Sequence, residues 1–538
     1  MTEDGARVER DSMGEVRVPQ TAFYGASTER ARQNFPISNL RMPRRFIRAL
    51  AQIKGAAALV NTELGLLEAR LASAIQQAAE EVEEGKFDKD FVVDVFQTGS
   101  GTSTNTNANE VIANRANEIL GQPLGSRQPV HPNDHVNRCQ SSNDVIPSAL
   151  QLSALVAIHE ELVPALGFLQ ETLERKSKEF MPVVKTGRTH LQDATPIRLG
   201  QEFLGYAGQA QRSIDRIRRA AEELAELPLG GTAVGTGVNA HPEFAQRVCA
   251  HLSRRAGVMV RETDNHFQAQ AALDAILSTA GALRTVAVSL WKIGNDLRWF
   301  ASGPRAGLGE ITLPEVQPGS SIMPGKVNPV IIESMTMVVA KVLGNDQLRT
   351  VAVSLWKIGN DLRWFASGPR AGLGEITLPE VQPGSSIMPG KVNPVIIESM
   401  TMVVAKVLGN DQTITVAAQS GSIFELNLMM PVAAYCLLET IALLSASAQN
   451  LAQRCIAGIK ATEHGPQMVE QGLMLATALA PTVGYDAAAA IAKEALATGK
   501  TIREVARERT RLSPQELDRL LDPARMTEPG VEAGPAGG

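Results

Sequence analysis

Residues 144–178 read DVIPSALQLSALVAIHEELVPALGFLQETLERKSK, and this stretch decides the fold class. Apolar side chains return along it every three to four residues, and breakers are few: Pro147, Pro164 and Gly167. That period marks one face of an α-helix. Residues 198–227 and 264–300 carry the same pattern. Ordinary helices run about 11–12 residues, whereas helical stretches of about 30 residues bury their apolar faces only in a bundle, commonly one shared between subunits. The expectation is a mainly α fold with a long central helical bundle.

The pattern changes on either side of this bundle. Residues 14–24 read as an extended entry segment and 45–79 as helices, while shorter helices follow residue 421 as far as about 521. The last stretch, DPARMTEPGVEAGPAGG (522–538), is rich in Pro and Gly and is expected to be disordered. The division expected is a mixed N-terminal domain at 1–143, the long-helix domain at 144–430, a small helical domain at 431–522 and a tail at 523–538.

Residues 283–347 recur letter for letter as residues 348–412. Repeat architectures stack many diverged units, each of about 20–50 residues. Here there are two identical copies, and each breaks off inside a helical pattern, where AALDAILSTAGA runs straight into LRTVAVSLWKIGNDLRWF. We read this as one segment present twice, a recent duplication or an assembly artefact. All four tryptophans (Trp291, Trp299, Trp356, Trp364) fall inside the copies.

Composition narrows the function classes. Lys and Arg total 52 against 57 Asp and Glu, the net charge is −5, and basic residues are scattered. Aromatics make up 4% of the chain, which offers neither a basic field nor stacking platforms for nucleic acid. Cys139, Cys249, Cys436 and Cys455 are far apart and show no CxxC spacing, which suits the reduced thiols of a cytosolic protein. The opening MTEDGARVERDSMGEVRVP lacks the apolar core of a signal peptide, and no uncharged apolar run approaches the ~18 residues of a membrane span. A soluble cytoplasmic protein with neither a nucleic-acid nor a membrane partner is expected.

Four polar stretches carry the candidate chemistry. They are TGSGTSTNTNANE (98–110), HPNDHVNRCQSSND (131–144), KTGRTHLQDATP (185–196), and GSSIMPGKVNP at 319–329 and again at 384–394. Hydroxyls, amides, histidines, glycines and a lysine together suit a small, anionic, oxygen-rich substrate. GGTAVGTG (230–237) lacks GxGxxG spacing, and GTGVNA (235–240) follows no strand pattern, so a dinucleotide site is unsupported. Neither GxxxxGK[ST] nor HExxH occurs. His131 and His135 flank Asp134, but the intervening Pro132 and Asn133 imply a turn, not one helix face, and no metal is expected.

Those stretches resemble the signature regions of the fumarase/aspartase superfamily, and most closely those of the class II fumarate hydratases. The resemblance runs from MGEVRVP (13–19) to KTIREVARE (500–508). It implies the family's three-domain fold, a homotetramer whose active sites each draw on three chains, and no metal or organic cofactor. The implied reaction is the reversible hydration of fumarate to (S)-malate, a step of the tricarboxylic acid cycle, through an aci-carboxylate carbanion. Ser320 or its twin Ser385 is implied as the base that takes the proton. His190 is implied as the second acid/base, with Glu333 or Glu398 setting its tautomer and basicity. A serine oxyanion needs preorganised donors, here loop amides and Lys326 or Lys391. Contacts to the dicarboxylate are further implied for Ser100, Gly101, Thr102, Ser141, Ser142, Asn143, Thr189, Ser321 or Ser386, and Asn328 or Asn393. His131, Pro132, Asn133 and Asp134 match a secondary anion site near the entrance.

Aspartate ammonia-lyase is the nearest alternative, since GTSTN (101–105) suits either enzyme. His190 separates them, because aspartases typically carry glutamine there. Argininosuccinate and adenylosuccinate lyases fit less well. An inactive helical scaffold is the alternative of another class, although no catalytic side chain is missing. For the fold to close, one 65-residue window must be excluded: either copy, or any window between them. A cut in the loop region at 301–319 spares a helix and makes Ser385 the working serine, whereas use of the first copy whole makes it Ser320. The excluded segment exposes Trp, Ile, Val and Met, and aggregation or proteolysis is expected there.

Overall fold

The structure, a computed structural model, describes residues 5–11, 13–189, 192–302, 308–314, 316, 330–331, 406, 409–418, 422–423, 426–454, 457, 460–461, 469–470 and 472–527. These group into two compact units, Met1–Pro164 with Ser213–Ala287 and Lys406–Ala446, and Ala165–Arg212 with Val288–Ala405 and Ser447–Gly538.

The described part is mainly helical. A hairpin of β1 (Ala6–Asp11) and β2 (Gly14–Pro19) leads into α1 (Ala26–Asn34), α2 (Arg44–Glu63), α3 (Ala69–Glu83), α4 (Thr102–Ile119) and α5 (Ser142–Ala157). Helix α2 organises the first unit. Phe46, Leu50, Ile53, Ala57 and Val60 recur at helical spacing and are fully buried, and the helix packs on α3, on α5 and on α8 (Phe244–Ala256). Each such Leu, Ile or Phe contributes about 1.5–3 kcal/mol of burial free energy. Lys54, Gln52 and Asn61 are also buried on this helix, beyond what an amphipathic pattern requires.

The run at 144–178 lies in one continuous helical stretch, Ser142–Phe180. A π turn at Ile158–Leu162 joins α5 to α6 (Val163–Phe180), just where Pro164 has no N–H for the preceding turn. The run at 264–300 does divide, into α9 (His266–Ala271) and α10 (Asp274–Phe300), whereas α7 (Leu199–Leu224) is continuous. By length and composition Ser142–Phe180 and Met430–Asn450 would suffice to cross a membrane; as in soluble cores, both are mostly buried within the fold.

In the second unit, β3 (Val184–Thr189) and β4 (Gln192–Arg198) form an antiparallel hairpin with a bulge between Thr186 and Arg188. Helix α11 (Met430–Arg454) belongs partly to each unit. At the C-terminal end, α12 (Tyr485–Thr498), α13 (Ile502–Arg509) and α14 (Pro514–Leu520) close a small core of Leu479, Ile491, Val505, Leu517 and Leu521. Capping boxes at Thr501–Glu504 and Ser513–Glu516 start two of these helices. The tail expected to lack structure from 523 is folded through Thr527, whose carbonyl accepts from Gln201 Nε2 at 3.3 Å.

Candidate active site

Two helix N-termini in the first unit bring two of the polar stretches together. Gly101 caps α4 with φ 71°, and a Cβ there would lie 2.8 Å from the Ile146 side chain, so backbone and packing both require glycine. Ser141 caps α5. Its Oγ accepts from the Asn143 N–H at 3.2 Å, and Asp144 accepts from the Ser141 N–H at 2.9 Å. On these mounts the hydroxyls meet: Ser100 Oγ lies 2.8 Å from Thr102 Oγ1, which lies 2.8 Å from Ser142 Oγ. The positive dipole ends of helices of 18 and 16 residues thus flank one row of hydroxyls. Hydroxyl donors, helix N–H groups and dipoles at one place suit a carboxylate.

Asp144, wholly buried, braces this corner. Its Oδ2 accepts from the N–H groups of Gly230 and Thr232, both at 3.0 Å, and Asn143 Nδ2 donates to the Ala233 carbonyl at 2.8 Å. Burial pushes the Asp144 carboxyl up, opposed by those N–H donors and by the Lys54 charge. GGTAVGTG, tested in the sequence only as a nucleotide loop, is a clamp on the start of α5. Its turns need the positive φ of Gly230, Gly235 and Gly237.

The His131 stretch forms a π turn at Pro132–Val136. Pro132 is buried, and Asn133 and Asp134 are exposed. His131 Nδ1 accepts from the Asp134 N–H at 3.2 Å, and the His131 N–H donates to His135 Nδ1 at 2.8 Å. Burial pushes the His131 ring below its ordinary value, favouring the neutral form.

In the second unit the β3–β4 hairpin is held by buried charge. Lys185 Nζ lies 3.0 Å from Glu202 Oε1 and also pairs with Glu310, which takes Arg188 as well. Lys185 further sits 4.4 Å from the centroid of the Phe300 ring. Burial pushes the Glu202 carboxyl up, against the Lys185 charge. Glu202 and Glu310 drew no attention in the sequence, where each is one glutamate among many.

Thr189 closes β3, paired with Gln192. His190, Ser320, Ser321, Lys326, Asn328 and Glu333 lie outside the described residues, as do the twins Ser385, Ser386, Lys391, Asn393 and Glu398. The segments around the first copy of GSSIMPGKVNP are described. Glu310, Ile311, Leu313, Val316, Val330 and Ile331 are buried, and Ile311–Thr312 pairs antiparallel with Lys460–Ala461. Second-copy residues are described from Lys406 onward: Asn410 Nδ2 donates to the Cys436 carbonyl at 3.0 Å, and Asp411 accepts from Arg284 Nη1 at 3.0 Å. Described first-copy residues thus lie on both sides of 319, the end of the loop region where the sequence favoured a cut.

A family model described as "Lyase" matches residues 14–344 and 345–409, and one described as "Fumarase C C-terminus" matches 475–528. A fumarate hydratase class II 2 from Bradyrhizobium diazoefficiens is 46% identical over 525 residues, 97% of this chain and 97% of that protein. A class II fumarate hydratase from Halobacterium salinarum is 47% identical over 535 residues, 99% of each. The chain belongs to the class II fumarate hydratase family. Among solved structures, a class II fumarase from Schistosoma mansoni matches with a TM-score of 0.82 and 34% identity, covering 97% of this chain and 99% of that one. A cobalt-bound fumarate lyase:delta crystallin from Brucella melitensis matches with a TM-score of 0.82 and 41% identity, covering 97% and 100%. The fold is thus that of the fumarase/aspartase type, and the chain is a lyase. The second "Lyase" match falls on the second copy of the repeated segment.

Proposed function

We propose that this chain hydrates fumarate reversibly to (S)-malate, and that the hydroxyl row Ser100–Thr102–Ser142 holds one substrate carboxylate. The convergence of the α4 and α5 N-termini on that row carries the reading. Removing a proton beside a carboxylate drives a second negative charge onto its oxygens, and donors already in place lower that barrier without reorganising. Gly101, Ser141 and Asn143 set the row; Thr189 extends the binding surface. Ser320 takes the carbon-bound proton, with Ser321, Lys326 and Asn328 stabilising its oxyanion and the dicarboxylate. His190 protonates the departing hydroxyl, and Glu333 sets its tautomer. His131, Pro132, Asn133 and Asp134 form a secondary anion site. No cofactor takes part.

We assign the work to the first copy and read the repeated segment as a duplication. The burial of Val316, Val330 and Ile331 supports Ser320 over Ser385, and the hold of Glu310 on Lys185 supports it independently. A homotetramer with sites shared among three chains belongs to the same reading. It is supported by exposed Leu204 and Val288 on the long helices α7 and α10. Free, buried Cys139, Cys249 and Cys436 suit the cytoplasm. The three-domain division at 143, 430 and 522 is kept on the same footing.

The test is fumarate consumption by the full chain in EDTA, with and without ammonium, beside Ser320→Ala and Ser385→Ala. Malate should form without ammonium. Ser320→Ala should lower kcat by about 10²–10⁴-fold while Ser385→Ala leaves it unchanged. Aspartate formation requiring ammonium would make the enzyme an aspartase, and loss in Ser385→Ala alone would reverse the choice of copy.

A further inference from the structure

Lys54 lies in the middle of α2 with its side chain wholly buried. An ammonium in such a place costs several kcal/mol unless its hydrogen bonds serve a purpose. Its Nζ donates to Asn137 Oδ1 at 2.8 Å. That same oxygen accepts from Asn105 Nδ2 and Asn109 Nδ2, both at 3.2 Å and both on α4. Asn137 Nδ2 in turn donates to the carbonyl of Gln140 at 3.0 Å, the residue directly before the Ser141 cap. Two turns along α2, Asn61 Nδ2 donates to the Arg138 carbonyl at 3.1 Å. One amide therefore ties together the helix that starts at Thr102 and the turn that leads into Ser142. The group that anchors this amide is the only ammonium on α2.

We propose that Lys54 is a positioning residue for the carboxylate site: through Asn137 it fixes the spacing of the α4 and α5 N-termini, and so the Thr102–Ser142 contact. This rests on the fumarate hydratase reading above. Lys54 touches neither Ser100, Thr102 nor Ser142, so it acts through the asparagine. Burial pushes the Lys54 amine down to about 7, against the charge of Asp144, the residue that completes the Ser141 cap of α5. The lysine and that cap favour each other's charged forms.

The experiment compares Lys54→Met, which keeps the length and loses the donor, with Ile53→Ala, a cavity on the same helix. Steady-state kinetics on fumarate and amide hydrogen exchange are measured on both full-length proteins. Lys54→Met should raise KM about tenfold and lower kcat by a similar factor, since the row both holds the carboxylate and stabilises the charge that forms on it. It should also speed exchange at 137–145 and 101–106 while leaving α3 protected. Ile53→Ala should lower Tm and leave KM unchanged. An unchanged KM and unchanged exchange in Lys54→Met, with wild-type malate formation intact, would overturn the positioning role and leave the enzyme reading standing. Wild-type protein that makes no malate would instead remove the enzyme reading, and exchange alone would then decide whether Lys54 holds the loop. Should Lys54→Met not fold, Asn137→Ser removes the shared acceptor and must show the same KM rise and exchange pattern.

Discussion

Gly101 shows how narrowly a single residue is specified here. Its left-handed φ of 71° strains any side chain, and Ile146 occupies the space a Cβ would need. Gly101→Ala should therefore cost about 1–3 kcal/mol in urea unfolding and raise KM for fumarate, because Thr102 is the next residue along. Combining it with Ile146→Ala should recover part of the difference, since the clash is lost while the backbone strain remains. A cost below about 0.5 kcal/mol for the single variant would show that α4 does not depend on this cap. Asp144 is as closely specified, by four partners drawn from three segments: the N–H groups of Ser141, Gly230 and Thr232, and the Lys54 charge.

Among the elements, the β3–β4 hairpin is held by buried charge, with Lys185 and Arg188 converging on Glu310 and Lys185 on Glu202. Breaking a buried ion pair from one side leaves a charge without its counterion and costs about 3–5 kcal/mol. Glu310→Gln should accordingly lower Tm by several degrees and reduce kcat, since Thr189 ends this hairpin. Its twin Glu375→Gln should change Tm by no more than about 1 °C, the effect of a surface substitution. Thermal unfolding of the two variants settles the matter, and a fall confined to Glu375→Gln would mean that the second copy fills this place. The hairpin itself was not legible: KTGRTHLQDATP read as a polar stretch, with no strands expected. Nor was its anchor, because Glu310 lies 122 residues from Arg188 and no local pattern links them.

On the scale of the whole molecule, the fold must take one set of helices from a chain that holds two copies of part of it. Arg284 of the first copy and Asp411 of the second meet at 3.0 Å, so the described structure is completed from both. Deleting residues 348–412 or 283–347 leaves the same sequence, which joins the two copies in a single run. That shortened chain should keep kcat and KM, show an equal or higher Tm, and aggregate less on heating. Loop-closure entropy changes slowly with length, so little is lost by shortening, and 65 residues that repeat Trp, Ile, Val and Met are removed. Loss of activity in the shortened chain, measured beside the full one, would show that both copies are needed.

The chain's own periodicity determined that residues 144–178, 198–227 and 264–300 would be largely helical, and its motifs singled out Ser100, Thr102 and Ser142, which the fold brings together. Both are local properties, set by side-chain spacing and by the residues that cap and turn the backbone. Even there, the division of 264–300 at Ala272–Leu273 was not apparent. Tertiary structure alone decided the partners of Lys54, Asp144 and Glu310, which lie 83, 88 and 122 residues away along the chain. Only tertiary structure can distinguish the two copies, since identical segments have identical local preferences and differ only in what folds against them.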